Sequence, residues 1–134
     1  MELTDLIGEH RLSGVDFGSR PTTQSWQDHD ARTITFVLNG TAYRATEDPN
    51  DGYRSCMNDI ERVENVVVNV FPPQRVIGGL RAGDNRIVDF IDGETGLVVL
   101  SVGTGDVSDY YPWFCATFDP RGMACNKAAL VGAR

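Results

Sequence analysis

Apolar and polar residues alternate most regularly over residues 33–46, on either side of Asn39-Gly40. That pair accepts the positive φ angles of a tight two-residue turn. Such a loop pairs Leu38 with Thr41, Phe36 with Tyr43 and Ile34 with Ala45, and these six side chains then share one sheet face. Thr33, Thr35, Val37, Ala42, Arg44 and Thr46 fall on the opposite, mostly polar face. Turn chemistry and alternation specify the same register, so a hairpin is predicted here.

Residues 66–71 are strongly β-branched on both faces, which predicts an interior strand ended by Pro72-Pro73. Val76, Ile77 and Leu80 form a short strand before a turn at Gly83-Asp84-Asn85. A second hairpin joins residues 86–91 to 97–102 across Asp92-Gly93-Glu94-Thr95-Gly96, with Gly96 at a left-handed position. Residues 113–118 alternate rings with small residues and read as a further strand. Helical spacing is brief wherever it occurs. Residues 4–9 make one turn, with Thr4 as cap and Leu3, Leu6 and Ile7 on one side. Residues 55–63, with Met57 and Ile60 inward, and residues 123–131 are two further short helices. From residue 11 to residue 31 the pattern breaks at Gly14, Gly18 and Pro21, which predicts an irregular segment pinned by Leu12, Val15, Phe17 and Trp26.

These elements define an α+β class: a mainly antiparallel β-sheet of five to six strands with short helices, or a small half-barrel as the alternative. The expected organisation is a single domain, 1–134, in which an irregular N-terminal segment, 1–31, packs on a sheet formed by 33–118. No repeat of solenoid period and no long polar linker divides it.

A chain of 134 residues buries roughly 65–70% of its unfolded surface. Apolar residues at 41% and charged residues at 23% describe a globule rather than a disordered chain. The net charge of −7 repels nucleic acid and anionic membrane, and neither is an expected partner. Lys127 is the only lysine, which leaves little for Schiff-base or phosphate-loop chemistry. Cys56, Cys115 and Cys125 are odd in number and lack C-x-x-C spacing, so neither a disulfide framework nor a zinc site is indicated. Reduced thiols, an N-terminus without a signal pattern, and the absence of an apolar run near the roughly 18 residues a bilayer requires point to the cytoplasm.

The densest chemistry lies in Glu47-Asp48-Pro49-Asn50-Asp51-Gly52-Tyr53-Arg54-Ser55, with an echo at Asp106-Val107-Ser108-Asp109-Tyr110-Tyr111-Pro112-Trp113. Glu47, Asp48, Asn50 and Asp51 offer hard oxygen ligands, but without the alternating spacing of a calcium loop. The same residues also make a turn unaided. Tyr53 and Arg54 exceed what a turn needs, since an arginine there can pair bidentately with Asp106 or Asp109. Two readings follow. In one, Asp48, Asp51, Tyr53, Arg54, Asp109, Tyr110, Tyr111 and Trp113 form a recognition patch. In the other, the two loops clamp each other over the core.

Asp28-His29-Asp30 reads as a solvated loop, because neighbouring side chains on an extended segment diverge. Gly103-Thr104-Gly105 lacks the third glycine of a dinucleotide fingerprint, and Cys115 reads as a small core residue. No catalytic residue is assigned and no cofactor is implied.

The run at 47–55, with Val102-Gly103-Thr104 and Asp109-Tyr110-Tyr111-Pro112 downstream, resembles small proteins of tailed phages and prophages. Those read D-P-D-D-G-Y-R-S, then V-G-T-D and D-D-Y-Y-P. Asn50, Gly105 and Ser108 stand here in place of aspartates, which thins any shared acidic site. The resemblance, over roughly residues 34–118, implies a phage accessory protein of the bacterial cytoplasm. Such a protein binds a host or bacterial protein without catalysis, as an inhibitor of host or anti-defence type. The alternatives are a small-ligand or divalent-metal protein or enzyme using Asp48, Asp51, Asp106 and Asp109, and a minor virion component.

Overall fold

The computed structural model describes residues 1–21, 31–47, 59–103 and 116–120. Seven strands form one antiparallel sheet: β1 (Gly8–Arg20), β2 (Ala31–Leu38), β3 (Thr41–Thr46), β4 (Glu61–Arg62), β5 (Asn69–Arg81), β6 (Asp84–Asp92) and β7 (Val98–Gly103). Their order is β4-β3-β2-β1-β5-β6-β7, with β4 and β7 at the two ends, so the sheet is not closed into a barrel. The only helical element among the described residues is a 3-10 turn, Leu3–Leu6.

The β2–β3 hairpin has the expected register: Leu38 faces Thr41, Phe36 faces Tyr43 and Ile34 faces Ala45. Asn39 and Gly40 both take positive φ, 55° and 80°. Ile34, Phe36, Leu38 and Ala45 are buried, and Tyr43 packs against them. The second hairpin also forms, and Gly96 is left-handed at φ 74°. The buried Asp92 carboxylate organises its turn, accepting from the Glu94 and Thr95 amides (2.7 and 3.3 Å) and from Gln74 Nε2 (3.0 Å).

Residues 8–20, expected to be irregular, instead form the central strand β1, paired to β2 on one side and β5 on the other. The reason is a bulge. Leu12 pairs with Leu38 but Gly14 pairs with Val37, so Ser13 is an extra residue and the inward set shifts phase, from Leu12 to Val15 and Phe17. On the other flank Leu12 faces Gln74 and Gly14 faces Val70, which leaves Phe71-Pro72-Pro73 opposite Ser13.

That irregularity also explains why Pro72-Pro73 does not end β5. The ladder has no regular pair there, and β6 joins β5 only from Val76 onward, so neither proline lacks an amide that the sheet needs. β5 begins at Asn69, and Val67 is 94% exposed rather than interior. Residues 59–63 are also not helical. Ile60 is buried, its amide bonds the Met1 carbonyl at 2.9 Å, and Glu61–Arg62 add to β3 as an edge strand. A cross-strand partner for Glu61 outweighs the weak local helical spacing. The strand expected at 113–118 is described only from residue 116, where Phe118 bridges Leu100 on the β7 edge. The helix expected at 123–131 lies outside the described residues.

The core lies on one face. Phe90, central in β6, meets the rings of Phe36 and His10 at 6.3 and 6.1 Å, and Phe71 stacks on Phe118 at 5.2 Å. Leu6 covers this face from the 3-10 turn, whose carbonyl passes directly over Gly78, where no Cβ fits. His10 secures it. The Arg11 amide donates to Asn39 Oδ1 (2.9 Å), which turns the Asn39 amide nitrogen toward His10 Nδ1 (3.1 Å). Nδ1 therefore accepts, and His10 Nε2 donates to the Leu6 carbonyl at 3.0 Å.

Candidate functional site

The face opposite the core carries a groove of about 360 Å³, within the size range of small-molecule and side-chain pockets. Its floor follows from the register. Asp16 on β1 pairs with Thr35 on β2, Thr35 with Arg44 on β3, and Arg44 with Glu61 on β4. Paired residues share a face, so one rung across four strands reads acid, hydroxyl, guanidinium, acid. Two strand spacings place Asp16 and Arg44 about 10 Å apart along the sheet.

Neither neighbour of Asp16 on its face of β1 carries a side chain: at Gly14 Val68 and Val37 close over the backbone, and Gly18 lines the groove. A Cβ at Gly14 would stand 3.0 Å from Val68 Cγ2, and one at Gly18 would stand 3.2 Å from Thr33 Oγ1. Val66, Val67, Ser19, Arg20 and Pro21 also line the groove, while Thr33 and Thr35 are buried in the floor.

The charges are unevenly compensated. Arg20 donates to Glu61 at 2.8 Å, and Arg44 lies 3.9 Å from the same oxygen while its Nε approaches Thr35 Oγ1 at 3.4 Å. Asp16 has no guanidinium within ion-pair distance among the described residues. Its one hydrogen bond there is a long one from Asn69 Nδ2, 3.5 Å. Burial raises the Asp16 carboxyl above its ordinary value.

A second polar cluster on this face pairs its charges internally. Arg81 donates to both Asp89 oxygens (3.1 and 2.8 Å) and to Ser101 Oγ (3.1 Å), and Ser101 donates to Asp89 at 2.7 Å. Burial acts to raise the Asp89 carboxyl, but the hydrogen bonds from Arg81 and Ser101 and the Arg81 charge outweigh it, and the net shift is downward. This cluster braces β5, β6 and β7.

The residues singled out from the sequence fare differently. Asp48, Asp51, Tyr53, Arg54, Asp106, Asp109, Tyr110, Tyr111 and Trp113 all lie outside the described residues. Glu47, the first acid of the loop, is fully buried. It accepts from the Arg32 amide at 3.2 Å, and the Arg32 guanidinium lies 3.2 Å from its other oxygen. It is a structural ion pair, not a free metal ligand. No group of three metal-binding side chains converges among the described residues, and no helix among them is long and apolar enough to cross a membrane. Asp16 escaped the sequence reading because the bulge hid the strand that presents it. The polar face of the β2–β3 hairpin, Thr33, Thr35 and Arg44, was the available signal.

No family model matches the chain, and no curated protein or solved structure matches it.

Proposed function

We propose that this is a non-enzymatic binding protein that acts by protein–protein contact through the face opposite its core. The observation that carries the reading is a charged, hydroxyl-lined groove bordered by aliphatic side chains held in water. Val67 is 94% exposed and Val70, paired with Gly14 on the same face, is 71% exposed. Isolated apolar residues on a surface need no explanation, but two beside a polar hollow match the mixed composition of a contact patch. They also extend the contact beyond what a small molecule in the groove would touch.

The setting we propose is a phage or prophage accessory protein in the bacterial cytoplasm, inhibiting a host or defence component. It rests on the likeness of residues 47–55 and 109–112 to that group. The test is capture from a bacterial lysate with the wild-type chain and with Val67→Ser/Val70→Ser. Both side chains are exposed, so the double variant keeps its fold. One protein retained by the wild type and lost by the variant supports the reading. Retention indifferent to the substitutions, or none at all, refutes it.

A further inference from the structure

We infer that the groove receives an arginine side chain of the partner, with Asp16 as its carboxylate acceptor. The inference rests on the protein-contact reading above and names the chemistry of the contact. The guanidiniums of Arg20 and Arg44 share one Glu61 oxygen, at 2.8 and 3.9 Å. Asp16 is the carboxylate of the groove that no guanidinium reaches within ion-pair distance among the described residues, and its long bond from Asn69 at 3.5 Å leaves acceptor capacity unused. Gly18, two residues along β1 on the same face, lines the groove and adds no side chain to it, so a flat cation can reach the carboxylate from that side.

A guanidinium fits better than an ammonium. Its planar fork pairs with both carboxylate oxygens, and a remaining N–H group finds an acceptor at the Thr33 hydroxyl in the same groove. Burial disfavours the Asp16 charge when the groove holds only water, and a bound cation reverses that. The chain's net charge of −7 adds long-range attraction for a basic partner.

The test uses the full chain and N-acetyl-arginine amide as the probe, followed by amide chemical shifts. N-acetyl-citrulline amide, a neutral isostere, and N-acetyl-lysine amide are the comparisons. The expected result is saturable shifts at Asp16, Thr33 and Thr35, at least tenfold weaker for citrulline, weaker for lysine, and lost in Asp16→Asn. Asp16→Asn also weakens partner capture at least tenfold. No shifts, shifts elsewhere, equal citrulline binding, or indifference to Asp16→Asn overturns the inference. Capture that responds to Val67→Ser/Val70→Ser but not to Asp16→Asn overturns it while the contact reading stands. Capture indifferent to Val67 and Val70 overturns the contact reading itself.

Discussion

Gly78 and Gly79 are neighbours on β5 that face opposite sides of the sheet, and the structure assigns them opposite responses to alanine. At Gly78 a Cβ would overlap the Leu6 carbonyl and stand 3.2 Å from Phe90 Cε1; at Gly79 it would meet nothing within 4 Å. The obstruction at Gly78 is backbone, so the 3-10 turn must lift away. Lifting it re-exposes Leu6, now 1% exposed, at about 1.5–3 kcal/mol. It also breaks the bond from His10 Nε2 to the Leu6 carbonyl, at about 0.5–1.5 kcal/mol. Alanine returns roughly 0.4–1 kcal/mol by restricting the unfolded chain. Gly78→Ala therefore loses about 1–4 kcal/mol, a fall in melting temperature of roughly 4–15 °C for a chain of this length. Gly79→Ala is neutral or gains up to about 1 kcal/mol. Urea unfolding of the two variants beside the wild type gives both values. Equal stabilities for the two variants would refute the packing of the 3-10 turn on Gly78.

Three further outcomes follow from the charged groups. Because burial raises Asp16 above its ordinary value, the folded state binds that proton more tightly than the unfolded state. Stability from this group thus falls as pH rises from the unfolded to the folded value. Asp16→Asn should raise the melting temperature at neutral pH, with the gain closing as pH drops through the carboxylate range; a lower melting temperature at neutral pH contradicts this. Asp89 has the opposite sign. Its net downward shift gives stability present above the unfolded value and lost as pH falls through the folded one. Asp89→Asn should cost about 1–3 kcal/mol at neutral pH and flatten the acid limb of a pH series of denaturant melts. An unchanged acid limb counts against it. Glu47→Ala removes the buried carboxylate of the ion pair with the Arg32 side chain, 21% exposed, and should cost about 3–5 kcal/mol. Glu47→Gln keeps an acceptor for the Arg32 amide and should cost less. Calorimetry that finds the two variants equal would contradict the ion pair.

The local code for the two hairpins is complete in the sequence. Asn39-Gly40 and Gly96 supply positive φ where the chain reverses, and period-two alternation selects the inward face, so these elements follow from short-range chemistry alone. Short-range chemistry also misled wherever a distant segment altered its meaning. The extra residue at Ser13 shifts the phase of β1, so a strand carrying Leu12, Val15 and Phe17 inward shows no steady alternation. Pro72-Pro73 reads as a stop, yet sits where the sheet asks for no amide.

The groove belongs wholly to tertiary structure. Asp16, Thr35, Arg44 and Glu61 come from four strands, and only the register between those strands aligns them in one rung. The polar character of the hairpin's outer face could be read from residue order, because alternation is a local property. That Asp16 stands there without a cation among the described residues, while Arg20 and Arg44 both turn to Glu61, depends on distances between strands, and pairing across the sheet decides those distances.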